Sequence, residues 1–205
     1  MSHIMKDSEI TTDSGKREKT KKENRTAILY AAVIVFSEIG YEASTIRDIV
    51  RESELAIGTF YNYFKDKESL IKEILDQETI EIRCRLKKAR AEASNSRELI
   101  YNAYFSYLDV LSRNPLLLKM IARNASIVRS LIFQSEGLKG ITGELKDDLQ
   151  TAVENKMLPE ININFTAWAM IGAGLEFLTR MAENPDLKPN DMAAFLTDLF
   201  LTGLE

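Results

Sequence analysis

Residues 54–70, ELAIGTFYNYFKDKESL, place four aromatic rings in the five positions 60–64 and then turn abruptly to charge. At helical spacing one face can bury only part of such a cluster. Phe60 and Phe64 stand i, i+4 on a common face, and Leu55 just before them can join it. Ile57, Gly58, Tyr61 and Asn62 then point the other way, with Thr59 and Tyr63 on the flank between. The inward rings have an evident partner in Ile49, Val50 and the helix upstream. The outward groups need a partner of another kind.

Upstream, Ala27, Ile28, Ala31, Ala32, Val35, Phe36 and Ile39 recur at helical spacing, predicting a first helix over about 22–39 that Gly40 ends. TIRD, 45–48, sets a capping Thr three residues before an acid and predicts a short second helix. The opening stretch supplies a third, over about 57–64. Two short helices joined by a tight turn, the second with a polar face, describe a helix-turn-helix. Thr and Tyr hydroxyls can donate to phosphates, Asn can pair with a base edge, and Ile can meet a thymine methyl. Arg47 is placed to reach guanine, and Lys65 and Lys67 add charge at the next turn.

Downstream the chain also reads helical. Asp66 caps a fourth helix to about 91, Asn95 with Glu98 a fifth to about 113, and Asn114-Pro115 restarts a sixth. Gly137, Gly140 and Gly143 interrupt that helix, a seventh runs to about 154 with Asn155 closing it, an eighth spans about 163–183, and a ninth ends near Gly203. No strand-like alternation of useful length occurs. The expected fold is all-α, with a three-helix N-terminal unit (21–66) joined by a continuous helix to a helical bundle (67–205).

Composition narrows the function. The chain of 205 residues has a net charge of −4, yet residues 16–25, KREKTKKENR, hold six bases against two acids. A basic arm on an acidic body suits a local polyanion contact, or else a solvated tail. Residues 1–20 read as a disordered polar leader. The lone cysteine, Cys84, fits a reducing cytoplasm, and no apolar run reaches membrane-spanning length. His3 is the only histidine, so the folded part offers no imidazole, and no phosphate-cradling Gly loop is present. Asp147-Asp148 fits a solvated helix face. Catalytic and metal sites are not expected, nor is a cofactor.

The stretch 31–75, AAVIVFSEIGYEASTIRDIVRESELAIGTFYNYFKDKESLIKEIL, resembles the TetR family of bacterial transcriptional regulators. Phe36, Gly40, Tyr41, Thr45, Arg47, Ile49, Gly58, Thr59, Phe60, Tyr61, Tyr63, Phe64, Lys67, Glu68 and Leu70 fall in register with that family's pattern. The resemblance implies phosphate contacts for Thr45, Thr59, Tyr63 and Lys67. It implies that Arg47, Ile57, Gly58, Tyr61 and Asn62 face bases. It further implies a homodimer on a palindromic double-stranded operator, released by a small effector held in the larger domain. Three residues depart from the pattern. Glu54 stands where a glycine of positive φ is usual, Ala56 forgoes the usual N-cap, and Ile57 replaces a polar or basic residue.

In the body, Tyr101, Tyr104, Phe105 and Leu108 share a helix face, and Leu117, Met120, Phe133, Phe165 and Trp168 can complete an aromatic-lined pocket. Ordinary core packing explains the same stripe. A pocket of this make-up would favour a hydrophobic ligand such as a fatty-acyl chain, an aromatic or a lipophilic drug. Ala169, Gly172 and Ala173 in the eighth helix, with Ala193, Leu196 and Phe200 in the ninth, form a candidate dimer surface. An alternative is a helical DNA-binding protein that works through a protein partner and senses no small molecule.

Overall fold

The computed structural model describes residues 7–134 and 136–203. It is all-α among the described residues, with ten helices. In chain order these are α1 (Asp7–Glu38), α2 (Ile46–Glu52), α3 (Ile57–Tyr61), α4 (Lys67–Glu92) and α5 (Ser96–Ser112). There follow α6 (Pro115–Arg123), α7 (Ala125–Gln134), α8 (Glu136–Glu154), α9 (Ile163–Glu183) and α10 (Pro189–Thr202). No described helix is long and apolar enough to cross a membrane.

The helix starts follow cap chemistry, in which a side-chain oxygen takes an otherwise orphaned N–H of the first turn. Thr45 and Asp48 form a reciprocal capping box, and so do Asp66 and Ser69. Asn95 accepts from the N–H of Glu98, Asn114 from Leu117 ahead of Pro115, and Asn162 from Phe165.

Four features differ from the sequence expectation. Residues 1–6 of the expected disordered leader lie outside the described residues, but from Asp7 the leader is helix. Lys, Arg and Glu are good helix formers, a Lys19–Glu23 pair lies one turn apart, and the packed part of α1 supplies the nucleus. The stretch after Pro115 divides at Asn124, which caps the end of α6, while Gly140 and Gly143 lie within α8. The left-handed residue that closes α8 is Lys156 (φ 58°), with Asn155 preceding it. Ile39 is exposed, because α1 ends before its side chain can turn inward.

Helix α1 packs on α2, α4 and α6, and α5 lies between α4 and α10. Helix α9 rests on α6 and α8, which closes the body. Ile28, Ala32, Phe36, Ile49, Phe60, Leu70 and Ile71 are fully buried and hold the N-terminal unit against the start of α4. Arg25 forms a two-armed ion pair with Glu73 across that contact and lies 5.1 Å from the Phe64 ring centre.

Candidate nucleic-acid interface and ligand cavity

The rings of the opening stretch separate as their spacing requires. Phe60 and Phe64 are buried, and Leu55 and Val50 pack against the same cluster. Ile57 is 47 % exposed and Tyr61 56 %, and Gly58 and Asn62 stand beside them in solvent. This puts an aliphatic group, a phenol and an amide on one convex face, with no Cβ at Gly58 to hold a partner away. Helix α3 ends at Tyr61, so Asn62 is its C-cap and Tyr63 leaves the helix half-buried. Thr59 is half-buried on the flank, while Arg47 is exposed in the first turn of α2.

Two of the residues assigned to phosphate are already engaged within the chain. The Thr45 hydroxyl donates to Asp48 Oδ2 at 2.6 Å, closing the α2 cap. Those hydrogen bonds hold the Asp48 carboxyl below its ordinary range. The Lys67 ammonium donates to the carbonyls of Tyr41 and Ser44 and sits 4.3 Å from the Tyr41 ring centre. Lys67 thereby fastens the start of α4 to the loop that ends α1.

The turn before α3 carries two local costs. Glu54 has φ 56°, the left-handed region where a Cβ crowds the backbone, at roughly 1–2 kcal/mol. Ala56 is the N-cap of α3 and has no oxygen to offer it.

The N-terminal unit is joined to the body by a second clamp. Asn124, buried at the α6–α7 break, accepts the Tyr41 N–H at Oδ1 (2.5 Å). Its Nδ2 donates to the carbonyls of Phe36 (2.9 Å) and Met120 (2.7 Å). Every polar atom of this amide side chain is matched. Gly40 (φ 87°) supplies the left-handed turn that leads the chain from α1 into this contact, a backbone conformation other residues rarely adopt.

The body encloses an apolar cavity of about 170 Å³. Leu75, Glu78, Thr79, Ile82 and Leu86 of α4 line one side, Ala103, Tyr104, Tyr107 and Leu111 of α5 another, and Met170, Ile171, Gly174, Leu175 and Leu178 of α9 a third. Ile121 of α6, Val128 and Ile132 of α7, and residues of α8 complete it. The volume is close to the ~150 Å³ that takes one benzene and below the ~300 Å³ of pockets for larger ligands. The Tyr104 hydroxyl donates to the Met170 carbonyl at 3.2 Å. The Tyr107 hydroxyl is buried without a hydrogen-bond partner. Leaving such a group unmatched costs about 1–3 kcal/mol. Burial, then the neighbouring Tyr104, pushes the Tyr107 phenol well up, so it remains protonated. Burial, then Glu81, raises the Glu78 carboxyl. Glu144 on the lining is paired with Arg83.

Of the residues predicted for a pocket, Tyr104 lines this cavity. Leu108, Leu117 and Met120 are core. Tyr101 and Phe105 stack at 5.8 Å toward α10, where the Tyr101 hydroxyl donates to Asn190. Phe133 lies under Arg129. Phe165 and Trp168 are a surface pair, 64 % and 49 % exposed, on the outer face of α9 beside the exposed Ala169 and Gly172. Of the predicted dimer surface, Ala193 and Leu196 are fully buried where α10 packs on α5. Ala173 is half-buried, and Phe200 stacks on Tyr104 at 6.0 Å. The apolar residues that α10 turns outward are Phe195 and Leu199. Asp148, read as a solvated acid, lines the cavity. The residues not foreseen, Tyr107 and Gly174, have one signal in the sequence: Tyr104, Tyr107 and Leu111 form a second stripe at i, i+3, i+7.

Comparison with known proteins agrees with this arrangement. Residues 28–74 match the family described as bacterial regulatory proteins, tetR family. An uncharacterized HTH-type transcriptional regulator, YhgD of Bacillus subtilis, is 24 % identical over 187 residues, covering 89 % of this chain and 97 % of that one. The fatty acid metabolism regulator protein of the same organism is 26 % identical over 170 residues, 74 % of this chain and 87 % of its own. Among solved structures, the transcriptional regulator FadR from Bacillus subtilis in complex with stearoyl-CoA superposes with a TM-score of 0.74 at 21 % identity. That superposition covers 88 % of this chain and 99 % of the other. The matched segment contains α2 and α3, and over most of its length the chain is similar in helical plan to bacterial regulators of the tetR family.

Proposed function

We propose that the protein is a ligand-responsive repressor that binds a palindromic operator as a homodimer and releases it when a small hydrophobic effector enters the body. One observation carries this reading: two helices line the cavity with one part and grip the reading head with another. Helix α4 contributes Leu75 to Leu86 to the lining, and its first residue, Lys67, holds the Tyr41–Ser44 loop. Helix α6 contributes Ile121 and ends at Asn124, which holds Phe36 and Tyr41. A ligand that moves either helix moves α2 and α3 with it. Its effect equals its differential affinity for the two head positions.

The relatives named for fatty acid metabolism, one with stearoyl-CoA bound, support an acyl or similarly apolar effector. A long chain would have to open the present cavity further. Aromatic and lipophilic drug-like molecules satisfy the same lining. The outer face of α9 and α10 is the proposed dimer surface. Phe165, Trp168, Ala169 and Gly172 with Phe195 and Leu199 form an apolar patch, and small residues among large ones allow close helix approach. Two heads are needed because one short helix reads too few bases. The site of action is the cytoplasm, on DNA.

Selection of bound DNA from a random pool tests the reading, with an enriched palindrome as the expected product. Tyr61→Ala should weaken binding to that sequence at least tenfold while the melting temperature shifts by no more than about 2 °C, because Tyr61 packs little of itself in the core. Equal binding by wild type and variant, or no enriched sequence, would refute it.

A further inference from the structure

We infer that Tyr107 is the polar anchor of the cavity, and that the effector carries a neutral oxygen, an alcohol or a carbonyl, on an otherwise apolar body. This rests on the reading of the cavity as the effector site. The lining is apolar apart from a few groups, and those groups are not equivalent. Tyr104 is matched by the Met170 carbonyl and Thr79 by the Leu75 carbonyl. Among the described residues two buried hydroxyls have no partner, Tyr107 and Thr142 of α8, and of these Tyr107 is the one on the lining. Its ring lies on the lining, and its oxygen lies so close to Gly174 that a Cβ there would stand 2.2 Å away. Glycine at this place leaves the hydroxyl room that any other residue would take. A phenol held this way can donate to a carbonyl, or both donate to and accept from an alcohol.

Charge on the lining selects against other polar groups. Glu78, Glu144 and Asp148 are its ionisable residues besides the tyrosines, and it has no Lys, Arg or His. A carboxylate ligand would lose its hydration with no cation on the lining to receive it. An ammonium has little to pair with either. Glu144 is held by Arg83, Asp148 has a partner of its own, and burial favours the neutral form of Glu78. A neutral oxygen is left. The cavity volume matches a body of about six carbons in the conformation described.

The test uses the full chain, wild type and Tyr107→Phe, with four six-carbon probes: hexane, hexan-1-ol, 2-hexanone and hexanoate. Affinities are read from methyl NMR titrations. Tyr107→Phe should weaken hexan-1-ol and 2-hexanone about tenfold, the value of one hydrogen bond, and leave hexane unchanged or tighter. Hexanoate should be the weakest of the four in wild type. The unliganded variant should melt about 2–4 °C higher, since it no longer buries an unmatched hydroxyl. If the alcohol and ketone bind both proteins equally while hexane also binds, the anchor is refuted and the cavity remains a ligand site. If no probe binds wild type, the effector reading of this cavity falls, and the anchor with it.

Discussion

The joint of this molecule and its two working ends treat polar groups and backbone in opposite ways. At the joint, Asn124 makes three side-chain hydrogen bonds and the Lys67 ammonium is held by two carbonyls and a ring. At the ends, Tyr107 keeps a hydroxyl unmatched, and the turn before α3 carries a left-handed Glu54 and an uncapped Ala56. A joint whose polar groups are matched resists local rearrangement, which is what the proposed coupling of body to N-terminal unit requires. An end that breaks a local rule holds free energy that a partner can recover. The contrast predicts where substitutions hurt and where they help.

The largest expected effect is at the joint. Asn124→Ala removes the acceptor of the part-buried Tyr41 N–H and the donor to the buried Phe36 carbonyl. The loss should be about 3 kcal/mol in urea unfolding, or roughly 6–12 °C in melting temperature. Asn124→Asp keeps the acceptor but deletes the donor and buries a charge, so it should be no milder. A loss under about 1 kcal/mol for the Ala variant would mean that the joint does not depend on this amide, and the comparison would collapse.

Next comes the space beside Tyr107. Gly174→Ala adds a Cβ 2.2 Å from the hydroxyl and 3.0 Å from Cζ, so the ring must shift. Overpacking costs about 1–3 kcal/mol, partly offset by the better helix propensity of Ala. In the Tyr107→Phe background the closest clash is gone. A coupling of at least 1 kcal/mol between the two substitutions is therefore expected in a double-mutant cycle. Additive effects would show that Gly174 and Tyr107 are not a matched pair.

How much of this was legible in the sequence depends on the range of the physics. Cap signals act within four residues, so the starts of α2, α4, α5 and α6 followed from Thr45, Asp66, Asn95 and Asn114. The two-sided α3 was legible for the same reason, whereas the left-handed residue at Glu54 was legible only through the family resemblance, which sets a glycine there. Burial of a helix face depends on which helix covers it, which periodicity does not state. Ala193 and Leu196 read as available but are covered by α5, whereas Phe165 and Trp168 read as inward but nothing covers them among the described residues. The rings of α5 show the same limit. Tyr101 with Phe105 and Tyr104 with Tyr107 occupy adjacent stripes, and only the placement of α9 decides which one meets the cavity. Lys67 fitted a phosphate contact by position, yet the carbonyls of the α1–α2 loop take it.

The smallest expected effect lies at the other working end. Glu54→Gly relieves roughly 1–2 kcal/mol of left-handed crowding and gives back about 0.5–1 kcal/mol in unfolded-chain entropy. A net gain of about 0.5–1 kcal/mol should appear as a melting temperature roughly 2–3 °C higher. The same change removes an exposed negative charge beside the reading head, so operator affinity should rise a few-fold at low salt and converge with wild type as salt screens the phosphates. The two readouts separate backbone from charge, since Glu54→Gln should reproduce the affinity gain without the stability gain. Should Glu54→Gly melt no higher than wild type, the turn holds no strain. The reading end would then break only the capping rule at Ala56, and the unmatched hydroxyl of Tyr107 would be the larger departure of the two ends.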